Sequence, residues 1–94
     1  MPALGVLTME LRIEHAQSLK DKRQVVKSLR DRLRRKFNVS VAEIADHDIH
    51  NSSVIAVAVV SASRDFAAKV LASVDEDAAA QLGPMLVRCD IEWI

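Results

Sequence analysis

Two groups of side chains in this 94-residue chain could do chemistry. Lys20, Arg23, Lys27, Arg30 and Arg34 recur at alternating intervals of three and four residues, a spacing that aligns them on a helix. Cations aligned in this way could track the phosphates of a nucleic acid. The second group is Asp46-His47-Asp48-Ile49-His50, where two imidazoles and two carboxylates offer metal-ligating or acid–base types. Zinc needs three or four convergent ligands, and one flexible loop rarely supplies them. That run reads as an Asx-rich turn with no metal assigned, and His15 adds no predictable partner. Cys89 alternates with Val87 and Ile91 and reads as a core thiol. There is no phosphate-cradling Gly loop and no Ser/His/Asp spacing. No catalytic residue, cofactor or small-molecule substrate is therefore expected, and the chain is read as a non-enzyme.

The formal net charge is zero, but its distribution is lopsided. Residues 18–36 hold nine of the thirteen Lys and Arg against Asp21 and Asp31, for a local charge of +7. The remainder sums to −7, so the charge argument has to be local. One cysteine cannot form an internal disulfide. The longest apolar run, Val54 to Val60, is too short to span a bilayer. The first residues, Met1 to Gly5, lack the basic start of a signal peptide, so a cytoplasmic protein without membrane contact is expected.

These groups must be positioned by a small set of elements. Odd positions from Ala3 to Ile13 are apolar or small, while Thr8, Glu10 and Arg12 are polar, which predicts a strand packed on one side. Ser18 can cap a helix, with Asp21 in its positive first turn. Val25, Val26, Leu29, Leu33 and Phe37 then give a buried stripe to about residue 36. Phe37 to Ile44 alternates as a second strand, and residues 45–53 form a polar connection. Val54 to Val60 is apolar on both faces and reads as a central strand. Ser63 can cap a second helix with a core side of Phe66, Ala67, Val70, Leu71, Val74 and Ala78, stopped by Gly83 and Pro84. Met85 to Trp93 alternates as the last strand.

The order βαββαβ predicts an α+β fold, one ferredoxin-like domain over residues 1–94. Its four-stranded antiparallel sheet would carry two helices on one face, in strand order 4-1-3-2. On the other, open face the phase places Glu10, Arg12, Arg88 and Asp90 around an apolar middle assigned to Ile55, Val57 and Val59. Phe37, Phe66 and Trp93 all fall on core-facing phases, so stacking of bases on the sheet is not expected. The apolar middle with a charged rim predicts a homodimer formed through this face.

The segment LTMELRIEHAQSLKDKRQVVKSLRDRLRRKFNVSVAE, residues 7–43, and the later IAVAVVS, residues 55–61, resemble the YlxP-like family of small bacterial proteins of unknown function. The resemblance covers nearly the whole chain. It implies a ferredoxin-like fold and a bacterial cytoplasmic setting. It also implies genes lying beside those for translation initiation and ribosome maturation, hence an RNA-related role. It carries over no catalytic residue.

With Lys20 at zero, the five stripe cations fall within an arc of roughly 80°, and Val25, Val26, Leu29 and Leu33 centre near roughly 200°, about 120° round from the middle of the stripe. A solubilising face mixes signs, whereas aligned like charges repel at i,i+4 spacing. The leading reading is thus a non-catalytic RNA- or ribosome-associated binding module. The alternative is a homodimeric protein–protein interaction domain whose basic helix meets an acidic protein.

Overall fold

The computed structural model describes residues 1–94. The chain runs β1 (Ala3–Arg12), α1 (Leu19–Lys36), β2 (Ser40–Ala45), β3 (Ser52–Ser61), α2 (Arg64–Leu82), a single 3₁₀ turn (Gly83–Met85) and β4 (Leu86–Trp93). The strands form one sheet in the order β2-β3-β1-β4, with every neighbouring pair antiparallel. Both helices cover the same face. This is the ferredoxin-like βαββαβ arrangement, with the doubly apolar β3 in the interior of the sheet as its pattern predicts.

Local chemistry fixes the helix ends. The Ser18 hydroxyl accepts from the Asp21 amide at 3.1 Å, and the Asp21 carboxylate accepts in turn from the Gln17 amide at 3.0 Å. One orphan donor of the first turn, the Asp21 amide, and the Gln17 amide just before the cap are satisfied together. Ser63 caps α2 by accepting from the Phe66 amide at 3.2 Å. Gly83, at φ +57° and ψ −130°, takes a positive-φ conformation open to glycine that ends α2, and Pro84 prevents its continuation.

The core lies between the sheet and the helices. β1 contributes Leu7, Met9 and Leu11, α1 contributes Leu29 and Leu33, and α2 contributes Ala67, Leu71, Val74, Ala78 and Leu82. Ile55, Val57 and Val59 belong to this core as well, at 1%, 0% and 4% exposure, and not to the open face. The reason is register. Leu7 pairs with Val57, Met9 with Ile55 and Gly5 with Val59, so the buried phase of β1 dictates the phase of β3. A run that is apolar on both faces holds no phase of its own.

Three smaller expectations change for similar reasons. Phe66 is 60% exposed, because the buried row of α2 runs through Ala67, Leu71 and Val74, about 100° round the helix from it. Val87 and Ile91 are also exposed. β4 is an outer strand, and α2 packs chiefly over β1 and β3. The second strand begins at Ser40, since Phe37 serves as the C-cap of α1 and donates its amide to the Leu33 carbonyl.

Gly5 sets how closely α2 approaches the sheet. A Cβ there would stand 2.8 Å from both Leu71 Cδ1 and Trp93 Cζ3. Gly5→Ala should therefore lower stability by about 1–3 kcal/mol through overpacking. Denaturant unfolding followed by fluorescence of Trp93, the chain's one tryptophan, checks this; an unchanged midpoint would mean that the helix shifts at no cost.

Candidate functional site

The side of α1 that meets α2 is fixed by three contacts. Gln81 Nε2 donates to Ser28 Oγ at 3.3 Å, and Arg32 Nε reaches Asp77 Oδ1 at 2.6 Å. Lys36 Nζ pairs with the other Asp77 oxygen. The five stripe cations lie on the opposite flank. Arg34 Nη2 donates to the Val41 carbonyl at 3.2 Å, which places that flank beside the outer edge of β2. Lys20, Arg23, Lys27 and Arg34 are exposed and Arg30 is half-buried. The structure therefore brings the predicted residues together on one surface.

Their charge is not all available. Lys27 Nζ meets Asp31 Oδ2 at 2.8 Å, and Arg30 Nε stands 3.7 Å from Asp31 Oδ1. Hydrogen bonding from Lys27 holds the Asp31 carboxyl below its usual range, with added pull from the Lys27, Arg30 and Arg34 charges. Asp31 is thus the carboxylate within the stripe. Lys20 and Arg23 make no ion pair, and Arg34 is engaged by a backbone oxygen.

Three of the nine helix cations have other work. Arg32 and Lys36 share Asp77, which is only 4% exposed. Hydrogen bonds from Arg32 and then Lys36 depress its pKa against the opposing effect of burial. Lys22 is 1% exposed and lies inside the protein. Its ammonium donates to the carbonyls of Asp46 (2.6 Å), His47 (3.2 Å) and Ser52 (3.3 Å), and sits 3.1 Å from Glu43 Oε2. Lys22 is thus one of the nine cations of the local +7 that does not reach the surface. Its phase held the signal: Lys22 lies at about 200°, in the middle of the core arc, and continues to Val26, Leu29 and Leu33 at helical spacing.

The Asp46–His50 loop is accordingly a cradle for Lys22. Asp46 adopts φ +63°, a left-handed conformation that Asp tolerates, and its carboxylate accepts from Ser52 Oγ at 2.8 Å. His47 Nε2 lies 3.1 Å from the Glu43 carbonyl. His47 and His50 are exposed, and no three metal-ligating side chains converge. Cys89 donates its thiol to Asp75 Oδ1 at 3.3 Å. Burial, then Asp75, pushes the Cys89 pKa up to about 12, which keeps it a thiol at neutral pH.

On the open sheet face Glu10 pairs in register with Arg88, and Arg88 Nε is 2.7 Å from Asp90 Oδ2. Arg12 is exposed beyond them. The apolar residues of this face are Val54, Ala56, Ala58 and Val60 of β3 with Leu4 and Val6 of β1, one residue out of phase with Ile55, Val57 and Val59.

A family model described as a protein of unknown function, DUF503, matches residues 4–91. The chain belongs to that family. This DUF503 chain is 41% identical over 61 residues to a Bacillus subtilis (strain 168) protein described as uncharacterized protein YlxP. The alignment covers 65% of this chain and 66% of that relative, slightly under two thirds of its length. Among solved structures it is similar to the de novo designed protein Foldit4, with TM-score 0.58 at 9% identity, covering 100% of this chain and 94% of that one. A second designed protein with a ferredoxin fold gives TM-score 0.55 at 14% identity, covering 100% and 84% of the two chains. A dimeric ferredoxin-like protein of unknown function from Thermobifida fusca YX gives 0.52 at 14% identity, covering 97% and 90%. At these identities the structures show the fold alone. No helix is long and apolar enough to cross a membrane.

The buried lysine of this DUF503 chain makes two predictions. Lys22→Met should cost about 3–5 kcal/mol, because it strands Glu43 and three carbonyls without their donor; a neutral effect on the urea midpoint would refute the cradle. Acid should also destabilise the fold. Burial pushes the Glu43 pKa up, but hydrogen bonds from Ser53 and Lys22 outweigh it and hold the carboxyl below its ordinary value. The stability Glu43 and Asp77 supply is then full above the ordinary carboxylate range and is lost as pH falls through their depressed values. Thermal unfolding against pH should show a downward slope on the acid side that Glu43→Gln makes shallower.

Proposed function

We propose that this protein is a non-catalytic RNA- or ribosome-associated binding module whose contact surface is the outer flank of α1. The observation that carries the reading is the placement of Lys20, Arg23, Lys27, Arg30 and Arg34 on one side of a single helix, with Asp31 as the carboxylate among them. From Lys20 to Arg34 the stripe spans about 21 Å, comparable to several phosphates of a nucleic-acid strand. A rigid mount supports this use. Lys22 and Asp77 hold the helix from its other sides, so the backbone that presents the cations is already ordered. Three arginines in the stripe favour forked contacts to phosphate oxygens. The stripe has no exposed aromatic beside it, which favours backbone contact over stacking on bases.

A second reading rests on a different surface. The unpartnered apolar strip of the open sheet face, together with the likeness to a ferredoxin-like protein described as dimeric, supports self-association of two copies. In this reading α1 would meet an acidic protein, and loss of capture on nuclease treatment of a lysate separates RNA from such a partner.

Gel shift and ribosome co-sedimentation test the first reading. Affinity should fall with salt at a log–log slope of roughly −3 to −5. Reversing Arg23, Lys27 and Arg30 to Glu should abolish association, whereas unchanged association would sink the reading. Asp31→Asn should strengthen binding by about severalfold, because Lys27 and Arg30 lose their competing carboxylate. A binding site elsewhere on the surface would not respond to Asp31 in this way.

A further inference from the structure

The register of β1, β2 and β3 shows what the open sheet face contains. Leu4 pairs with Val60, Val6 with Ala58, and Thr8 with Ala56, all directed away from the helices. Ala42 adds another small residue beside Ala56. The result is an apolar strip along β3 with alanines at its centre and valines at its ends. Val60 is 70% exposed and Leu4 37%. Nothing in the fold covers this strip, because both helices lie on the other side.

We propose that the strip is the contact surface of a face-to-face homodimer in which β3 of one copy lies over β3 of its partner, with the dyad near Ala56 and Ala58. The proposal rests on the self-association reading above and specifies its surface. A two-fold contact lays one patch on its own copy, so the patch must be complementary to itself. Small residues at the centre let two sheets approach to the usual ~10 Å, and Val54 and Val60 fill the flanks.

Charge favours a second copy over the other occupants. Glu10 lies across from Arg88, and Arg88 is paired with Asp90 within the same copy, so the face has little unbalanced charge to repel its twin. The face sums to about −1, Glu10, Asp90 and Glu92 against Arg12 and Arg88, which gives a phosphate backbone no attraction, and it has no aromatic on which a base could stack. The size is adequate. Strands ~3.3 Å per residue and ~4.8 Å apart give the whole four-stranded sheet, with strands of 10, 6, 10 and 8 residues, a planar face on the order of 500 Å² per copy. Two such faces, with side-chain relief, reach the lower range of stable interfaces, near ~1,200 Å². The basic flank of α1 belongs to the opposite layer and stays open to its own partner.

Sedimentation over a concentration series tests the proposal, using wild type, Ala58→Glu and Val60→Lys. The wild type should sediment at twice the 10.4 kDa monomer mass. Ala58→Glu should weaken dimerisation at least ~30-fold, since it places two uncompensated charges near the dyad. Val60→Lys changes a residue already exposed in the single copy, so it keeps the test valid if Ala58→Glu fails to fold. It should also weaken the dimer, with unchanged circular dichroism. A wild type that stays monomeric at millimolar concentration overturns the self-association reading and this surface together. A dimer that persists in both variants leaves self-association standing and overturns β3 as its contact.

Discussion

Lys22 spends its charge inside the protein. Removing an ammonium from water costs several kcal/mol, and attraction to one carboxylate seldom repays it unless the remaining protons find acceptors. Here Glu43 supplies the carboxylate, and the carbonyls of Asp46 and His47 in the β2–β3 connection and of Ser52 at the start of β3 supply the rest. The acceptors converge because Asp46 turns through a left-handed conformation and Ser52 holds its carboxylate. Glu43 is itself fixed by the hydroxyl of Ser53, which is fully buried. One polar cluster therefore ties the first turns of α1 to the hairpin that carries β2. The rotation of α1 about its own axis follows from it, and with that rotation the direction in which the other cations point.

That rotation sorts the basic charge of α1 into distinct roles. Toward α2, Arg32 and Lys36 converge on Asp77, a nearly buried carboxylate that joins the two helices. On the outer flank, Arg34 caps a carbonyl on the edge of β2. An edge strand with open carbonyls invites pairing with another chain, and a guanidinium over one of them is a common way to blunt it. Lys20 and Arg23 are left with water alone, while Lys27 and Arg30 share Asp31. Paired exposed charges of this kind contribute little to stability. The stripe thus contributes little as a stabilising device, which is the physical ground of the binding role proposed for it.

The sheet divides in the same manner. Its helix side holds the packed core, with Gly5 leaving room for Leu71 and Trp93. Its other side pairs a small-residue apolar centre with a mixed-charge rim of Arg88, Asp90 and Glu92 on β4. The open sheet and the outer flank of α1 are separate surfaces, so the contacts proposed for them would not compete.

Much of this was legible in the sequence, for definite reasons. Period-two alternation in β1 and β4, the 3.6-residue stripe in α1, and the caps at Ser18 and Ser63 are local signals, and local sterics and hydrogen bonding read them directly. The family resemblance and the βαββαβ order followed, and so did the alignment of Lys20, Arg23, Lys27, Arg30 and Arg34, because helical geometry alone places them on one side. What only tertiary structure decided was phase and partnership. β3 is apolar on both faces, so pairing with β1 chose Ile55, Val57 and Val59 for the core and left Val54, Ala56, Ala58 and Val60 outside. Lys22 sat at a core angle in the helix, but a lysine there is stable only if acceptors distant in the chain close around it. Phe66, large and apolar, lost its core place to Ala67 because the row facing the sheet passed through the smaller residue. Local periodicity fixes which residues share a face; the free energy of desolvation, settled between distant segments, fixes which face is buried.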